Sequence, residues 1–333
     1  MTQRPENRAA LAEFYDERYA GSYMESHPRL DTKRVRDVLE RVPLVPRTIL
    51  DYGCGRGAWI PLLAEIFPKA AIVGLDISAQ ALQHARVAFP EREFHLLEGD
   101  AAPLASASFD LVFSYHVLEH VYDLEATVAD MARLARPGGY LGVMLPCANE
   151  RSLEERIVRL IEGGVEPSHD GFSRFFFDDP GHFRRPTSEQ LVRLFAAHQV
   201  ATEEELFAGH LWGAVEWLTE AGPDAVRELC DPALGRSPSA RALLSALRSV
   251  LLGLSFFTRI ATTKGLMRRA WADTMPAAQR VQLVAAAPMK LLAVPIVWGL
   301  RKLAWREWRR NLRDKNGSAM YLLLCKEQRE AEG

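Results

Sequence analysis

The first two-thirds of the chain alternate short apolar runs with segments whose apolar residues recur at helical spacing. The short runs, which have the length of buried strands, lie at 48–52, 71–75, 93–98, 109–115 and 140–145. Helical spacing is found at 31–41, 59–67, 79–88 and 124–134. This alternation predicts an α/β fold, with a Rossmann-like, doubly wound parallel sheet.

The pattern changes after residue 208 and returns near the C-terminus. A helix is expected at 188–197 and strands at 200–207 and 319–326, the last reading AMYLLLCK. We therefore divide the chain into a core over 1–208, with a lid at about 149–186, a basic and apolar helical insertion over 209–316, and a final core strand and tail over 317–333.

Composition is that of an ordinary folded protein. Hydrophobic residues make up 48% and charged residues 25% of the 333 residues, which excludes wholesale disorder and a collagen-like chain. The four cysteines, at positions 54, 147, 230 and 325, lack the spacing of metal ligands, and the N-terminus is too polar for a signal peptide. A reducing cytoplasm is the expected location.

Charge is distributed unevenly along the chain. Between Arg236 and Lys315 there are 16 Lys and Arg residues against three acids, although the whole chain has a net charge of −2. The most apolar part of this block, Val281 to Leu300, is interrupted by Lys290, Pro288 and Pro295. We therefore expect no classical membrane-spanning helix and look for a partner of opposite charge.

A glycine loop joins the first predicted strand to the next helix. Gly53, Gly55 and Gly57 follow Asp51 in the segment DYGCGRGAW, where backbone can approach a ligand closely. With Ala58 this also satisfies the dinucleotide pattern G-x-G-x-x-G/A. The loop alone leaves a nicotinamide or flavin enzyme open.

Acidic residues after the second and third predicted strands help to distinguish between classes of nucleotide-binding enzyme. Asp76, in GLDIS, is placed to accept hydrogen bonds from both hydroxyl groups of a ribose, as in many dinucleotide enzymes. Asp100, in EGDA, adds an acid placed to accept an adenine amino group, which those enzymes do not share. The segments SFDLVFSYHVLEH and RLARPGG follow in order.

These five ordered motifs resemble those of the class I S-adenosylmethionine-dependent methyltransferases of small-molecule type, similar to those of the ubiquinone pathway and of polysaccharide clusters. The resemblance implies a seven-stranded sheet with an antiparallel last strand. It assigns the methionine part of the donor to Asp51, Gly53, Cys54 and Gly55, the ribose to Asp76, the adenine to Ile77, Asp100 and Ala101, and the sulfonium side to Ser114.

Methyl transfer is an in-line displacement, so alignment and exclusion of water are its main requirements. A hydroxyl acceptor also gains from a base that removes its proton. His116, at the end of the fourth strand, and His182, in GHFRRPT, are the candidate bases. A structural role for each histidine is the alternative.

A divalent metal is a further option. The segment His116-x-x-Glu119-His120 resembles the Glu-x-x-Glu-His that chelates a metal in ubiquinone-pathway O-methyltransferases and in small-RNA 2′-O-methyltransferases. The first Glu is replaced by His116 here, and related sequences without metal carry the same Leu-Glu-His. We therefore leave the metal open and expect the enzyme to work without one.

Aromatic residues of the lid and the insertion indicate what kind of molecule accepts the methyl group. Four phenylalanines, Phe172, Phe175, Phe176 and Phe177, either face an apolar or planar acceptor or pack beneath the insertion. In the insertion, Trp298, Trp305 and Trp308 stand beside arginines and aliphatic runs, which suits docking on an anionic membrane surface. A helical cap or homodimer interface, and RNA binding, are the alternatives.

The sequence thus predicts a methyltransferase that uses S-adenosyl-L-methionine to methylate an oxygen of a lipophilic or lipid-linked small molecule. We expect it in the cytoplasm, peripheral to the inner face of a membrane. A soluble N- or C-methyltransferase of a natural product is the enzymatic alternative. A non-catalytic S-adenosylmethionine-binding assembly factor is the alternative from another class.

Overall fold

The computed structural model describes residues 5–21, 23, 31–99, 101–168, 170–262 and 277–328, with backbone alone for 277–287. The elements of the first half are α1 (Arg8–Ala20), α2 (Thr32–Leu39), β1 (Thr48–Tyr52), α3 (Ile60–Ile66), β2 (Ala71–Asp76), α4 (Ala79–Ala88), β3 (Glu93–Leu96), β4 (Phe109–Tyr115), α5 (Leu124–Leu134) and β5 (Ala135–Pro146). Those of the second half are α6 (Leu153–Val158), β6 (Val165–Pro167), β7 (Ser173–Phe175), α7 (Ser188–Ala196), β8 (Val200–Ala208), α8 (Trp212–Ala221), α9 (Pro223–Leu229), a 3-10 helix (Pro232–Leu234), α10 (Pro238–Thr262), α11 (Ala277–Asn311) and β9 (Ala319–Lys326).

Seven strands form one mixed sheet in the order β3-β2-β1-β4-β5-β9-β8. The first five strands are parallel, with Leu50 of β1 paired to Val73 on one side and Val112 on the other. Strand β9 lies between β5 and β8 and is antiparallel to both. The predicted Rossmann-like sheet with an antiparallel last strand, preceded by a helical insertion, is confirmed.

Successive residues of each strand enter opposite layers of the core. Ile49 of β1 packs in the layer that contains α2 and α3, whereas its neighbour Leu50 packs in the layer that contains α5 and α7. Both residues are fully buried, as expected for a strand covered by helices on both faces.

Several elements differ from the sequence prediction, which placed no helix or strand in the lid, where α6, β6 and β7 lie. Strand β5 begins at Ala135, because Ala135 already pairs with Phe109 before the register shifts and resumes at Tyr140. Helix α1 was not predicted at all. It is capped by the side chain of Asn7, which accepts a hydrogen bond from Ala10 N–H, and it buries Leu11, Tyr15 and Tyr19.

The insertion between β8 and β9 is helical, as predicted, and packs around an apolar cluster to which the lid also contributes. Leu218 of α8, Leu244 and Leu251 of α10, and Leu300 of α11 are buried there. By length and composition α10 could cross a membrane, and it is the only such helix among the described residues. Core helices of soluble proteins can meet the same criterion, and α10 packs against α8, α9 and α11.

The C-terminal part of α11 attaches the insertion to the sheet. Trp308 is 1% exposed, its ring packs on Tyr321 of β9, and its Nε1 donates a 3.1 Å hydrogen bond to Asp37. Glu307 accepts hydrogen bonds from the backbone N–H groups of Leu211, Trp212 and Gly213 at the start of α8. A carboxylate in this position stabilises the helix N-terminus and fixes α8 relative to α11.

Candidate active site

A cavity of about 520 Å³ opens at the carboxyl ends of β1, β2 and β4. In a doubly wound sheet this is the edge at which ligands bind. The glycine loop, Asp76 and Ile77 line one part of the cavity, which we call the donor half. Residues of the lid, of α2 and of α8 line the other part, which we call the acceptor half, and His116 also lines the cavity.

The loop after β1 needs its glycines for both conformation and space. Gly53 and Gly55 have φ angles of 77° and 53°, in the left-handed region that favours glycine. A Cβ on Gly53 would lie 2.3 Å from Val117, and one on Gly55 would lie 2.7 Å from the Tyr19 hydroxyl. Backbone at these two positions therefore forms the cavity wall directly.

Two buried carboxylates stand beside this loop. Asp76 accepts hydrogen bonds from Gly55 N–H at 2.8 Å and Ser78 N–H at 2.9 Å, while burial raises its pKa to about 6. Burial and the neighbouring Asp76 raise the pKa of Asp51 to about 8, and Oδ2 of Asp51 has no hydrogen-bond partner among the described residues. A ligand carrying a cationic nitrogen and hydroxyl groups would complete this pair, so these residues fit S-adenosylmethionine.

The remaining donor-site predictions divide into three groups. Cys54 and Ile77 line the donor half of the cavity. Ala101 is exposed, and Ser114, 1% exposed within β4, does not line the cavity either. Asp100 lies outside the described residues. Leu97, which sequence reasoning did not single out, lines the cavity after β3.

Helix α1 covers the donor half, which the sequence analysis missed. Tyr15 and Tyr19 line the cavity, and the Tyr15 hydroxyl lies 2.6 Å from Nδ1 of His120. Arg18 donates two hydrogen bonds to Asp179 in the lid. Although burial alone would raise the pKa of Asp179, Arg18 holds it at about 2. Helix α1 and the lid are thus joined across the cavity.

His116 is the first residue after β4 and has a backbone conformation unusual for a side chain of its size. Its φ is 53°, and its N–H donates a 2.8 Å hydrogen bond to Met144 O. Its Nδ1 lies 3.1 Å from Oε1 of Glu119, which is fully buried. Burial lowers the pKa of His116, but Glu119 more than offsets this and raises the pKa above its ordinary 6.5.

Glu119, His120 and His182 form a cluster next to His116. Their nearest ligand atoms lie within 4.8 Å of one another, and the rings of His120 and His182 are 4.4 Å apart. Despite burial, the nearby histidines hold the pKa of Glu119 at about 2, whereas burial and His182 lower the pKa of His120 to about 4. A carboxylate with two imidazoles offers ligands that suit a transition metal. The cluster equally suits a structural brace beneath His116.

The acceptor half contains charged residues that sequence reasoning did not identify. Arg185 donates hydrogen bonds to Asp178 and Glu154, and Arg34 donates one to Glu216 of α8. Each residue lines the cavity. Arg34 and Glu216 are 182 positions apart, and Arg185 and Glu154 are 31 apart, so no local sequence pattern marks these two contacts.

The lid phenylalanines are mostly internal. Phe175 is buried in the apolar cluster of the insertion, and Phe176 packs against that cluster. Phe172 packs against the core instead. Phe177 lines the cavity as well as packing on the insertion cluster. Of the four, therefore, Phe177 alone faces the acceptor half.

Comparison with known proteins agrees with this geometry. A family model described as a methyltransferase domain matches residues 50–143. A trans-aconitate 2-methyltransferase of Azoarcus sp. (strain BH72) is 38% identical over 117 residues, covering 34% of this chain and 46% of the relative. A ubiquinone biosynthesis O-methyltransferase of Thiobacillus denitrificans is 36% identical over 113 residues, covering 32% and 48%. The chain thus spans about half the length of these curated relatives.

The fold likeness extends further than the sequence likeness. The crystal structure of the [4+2]-cyclase SpnF superposes with a TM-score of 0.52 at 15% identity, covering 98% of this chain and all of the other. Such a match concerns the fold, since one fold supports different reactions. The family match over residues 50–143, together with the strand order and the glycine loop, identifies a class I S-adenosylmethionine-dependent methyltransferase domain in this part of the chain.

Proposed function

We propose that this protein transfers a methyl group from S-adenosyl-L-methionine to a hydroxyl oxygen of a lipophilic or lipid-linked small molecule at the surface of a membrane. The observation that supports the proposal is one cavity lined by both Asp76 and His116, with Asp51 buried beside the donor loop and Glu119 buried against the His116 ring. The donor would supply an electrophilic methyl on a positively charged sulfur.

The chain's own residues have three tasks in this reaction. Asp51 and Asp76 bind and orient the donor, with Cys54 and Ile77 on the cavity wall beside them. His116 accepts the proton of the acceptor hydroxyl at its imidazole, and Glu119 positions that ring and stabilises its protonated form. His182 is the second candidate base, because it lines the same cavity.

Membrane association is supported by the surface of α11. Leu291 is 80% exposed and Trp298 is 59% exposed, and Lys302 lies over the Trp298 ring at 3.7 Å from its centroid. Apolar side chains beside cations suit an anionic lipid surface better than RNA, whose binding does not require aliphatic groups. Trp308 cannot take part as predicted from sequence, because it is buried against Tyr321.

A direct experiment tests the reaction. Purified protein is incubated with methyl-tritiated S-adenosylmethionine and either a bacterial lipid extract or a pool of water-soluble metabolites. Label is expected in an alkali-stable product of the lipid fraction. Label in the soluble pool alone would favour a soluble methyltransferase, and trans-aconitate, named for one relative, is assayed separately. Tight donor binding without any labelled product would favour a non-catalytic factor.

The exposed surface of α11 could instead form the interface of a homodimer. Sedimentation equilibrium at several protein concentrations distinguishes it from lipid docking. A dimer that persists when Leu291 and Trp298 are both changed to Ser would show that this surface is not the subunit interface.

A further inference from the structure

The acceptor half of the cavity contains one hydrogen-bond acceptor and one hydrogen-bond donor that have no partner among the described residues. Glu216 of α8 is 6% exposed, and its Oε2 accepts a 3.1 Å hydrogen bond from Arg34, but its Oε1 has no hydrogen-bond partner within the described part of the chain. Arg185, 4% exposed, uses Nε and Nη1 on Asp178 and Glu154, and its Nη2 has no partner there. Both residues line the cavity and neither of these two atoms is fully buried, so each is available to a ligand.

The charge balance around these groups disfavours an anionic ligand. Two guanidinium groups, of Arg34 and Arg185, line the acceptor half. Five carboxylates line it with them, those of Asp31, Glu154, Asp178, Asp179 and Glu216. The surplus of negative charge would repel a carboxylate or phosphate brought into the same low-dielectric space.

A quaternary ammonium group does not fit this half of the cavity either. Every acidic group here already accepts a hydrogen bond: Asp31 from the hydroxyls of Tyr115 and Tyr321, and Glu154 from Arg185 and Ser318. A quaternary ammonium cannot donate a hydrogen bond to Glu216, and it would lie close to two guanidinium groups. A hydroxyl group both donates and accepts hydrogen bonds, so a ligand with several hydroxyl groups can donate to Glu216 and accept from Arg185.

We propose that the acceptor half recognises a neutral, hydroxyl-rich group of the acceptor, such as a sugar-like ring, through Oε1 of Glu216 and Nη2 of Arg185. This proposal rests on the proposed function and deepens it, because it defines the chemical class of the group next to the reacting hydroxyl. Trp217, 42% exposed on α8, and Phe177 supply aromatic surface on the wall of the same cavity.

The insertion would therefore contribute to specificity. Glu216 and Trp217 are supplied by α8, and α8 is held in place by Glu307 of α11, which accepts hydrogen bonds from Trp212 and Gly213 N–H. Exposed apolar residues of α11 follow on the same insertion. A polar headgroup in the cavity and an apolar remainder outside it are compatible with this arrangement.

The test measures binding without turnover. Full-length protein saturated with S-adenosylhomocysteine is studied by saturation-transfer NMR with three probes: methyl α-glucoside, choline and citrate. We expect the glucoside to bind at least about tenfold more tightly than either ion, given the paired donor and acceptor groups. Equal or tighter binding of choline or citrate, or no binding of the glucoside, would overturn the proposal.

Variants locate the site. Glu216→Gln should weaken glucoside binding by about fivefold to tenfold, because it removes a charged acceptor. Glu220→Gln is the matched control: it lies one turn further along α8, is paired with Arg301 and does not line the cavity. Unchanged affinity in Glu216→Gln would contradict the assignment. If that variant does not fold, the three-probe comparison on the unaltered protein still decides. S-adenosylhomocysteine affinity is measured separately, so that loss of the donor site is distinguished from loss of this one.

Discussion

The guanidinium of Arg18 donates hydrogen bonds of 2.6 and 2.7 Å to the two carboxylate oxygens of Asp179. This pair joins α1, over the donor half, to the lid over the acceptor half. Arg18→Gln should raise the donor dissociation rate about twofold to fivefold, the range expected for a partly exposed bidentate pair. Stopped-flow release of S-adenosylhomocysteine measures it. Arg36→Gln, whose partners Glu40 and Glu65 lie elsewhere, is the control and should leave the rate unchanged.

Asp51 should make donor binding depend on pH. Its pKa is about 8 in the free protein, and a cationic ligand beside it would lower that value. Donor binding should therefore release a proton near pH 7 and become tighter as pH rises toward 8. Calorimetry in two buffers of different ionisation enthalpy detects the proton. Asp51→Asn should weaken donor binding roughly 10- to 150-fold and abolish the proton release.

The same residue should cost stability in the absence of the donor. A carboxyl whose pKa is raised on folding binds more protons in the native state than in the unfolded state. Its contribution to the free energy of unfolding therefore falls as pH rises from about 4 to about 8. Asp51→Asn should therefore raise the melting temperature more at pH 8.5 than at pH 5.5. An equal or opposite difference at the two pH values would contradict the raised pKa.

His116→Ala should lower kcat by about 10²- to 10⁴-fold while donor affinity remains nearly unchanged. Because the base must be neutral and Glu119 raises its pKa, the rate should fall as pH decreases through a value above 6.5. Glu119→Gln should move this fall to lower pH. His95→Ala, which lies in β3 and does not line the cavity, is the control. If His116→Ala and His182→Ala both keep the full rate, histidine is not the base.

Chelation should not abolish activity. The cluster of Glu119, His120 and His182 offers one carboxylate and two imidazoles, whereas Mg²⁺ prefers oxygen ligands. We expect protein dialysed against EDTA to keep its rate, with no gain from Mg²⁺. A rate lost on dialysis and restored by a divalent metal would show that these residues are ligands.

Replacing Leu291 and Trp298 by Ser should reduce vesicle binding about tenfold or more, since the apolar surface they would bury is worth about 25 cal/mol per Å². Cosedimentation with phosphatidylglycerol vesicles at 0.1 M and 1 M salt measures the loss, and the part removed should be the salt-resistant one. Val87→Ser, equally exposed on α4, is the control. Binding that disappears at high salt in the unaltered protein would contradict lipid insertion.

The sheet and the donor loop could be predicted because their signals are local. The runs that became β1 to β5 are short and apolar, and the glycines stand where one strand meets a helix. Helix α1 escaped notice because its polar sequence is not strongly amphipathic, although Asn7 and the four-residue spacing of Leu11, Tyr15 and Tyr19 were readable signs.

The acceptor half could not be predicted in the same way. Arg34 and Glu216 are 182 positions apart, and their contact depends on how the insertion returns to the sheet. Trp308 illustrates the same limit. Beside arginines it reads as an interfacial residue, yet it packs on Tyr321 once β9 is in place. Ser114 shows that a motif position can fall behind the cavity wall rather than on it.

The position of β9 has a consequence for synthesis on the ribosome. Strands β5 and β8 do not pair with each other, because β9 lies between them. More than one hundred residues are translated between β8 and β9. Until Ala319–Lys326 emerges, the apolar edge of Ala135–Pro146 is unpaired and open to other chains. The insertion helices, made earlier, can form their own cluster first and deliver β9 to that edge as they dock. Substitutions that slow assembly of this helical cluster should therefore appear as aggregation during expression rather than as loss of catalytic rate.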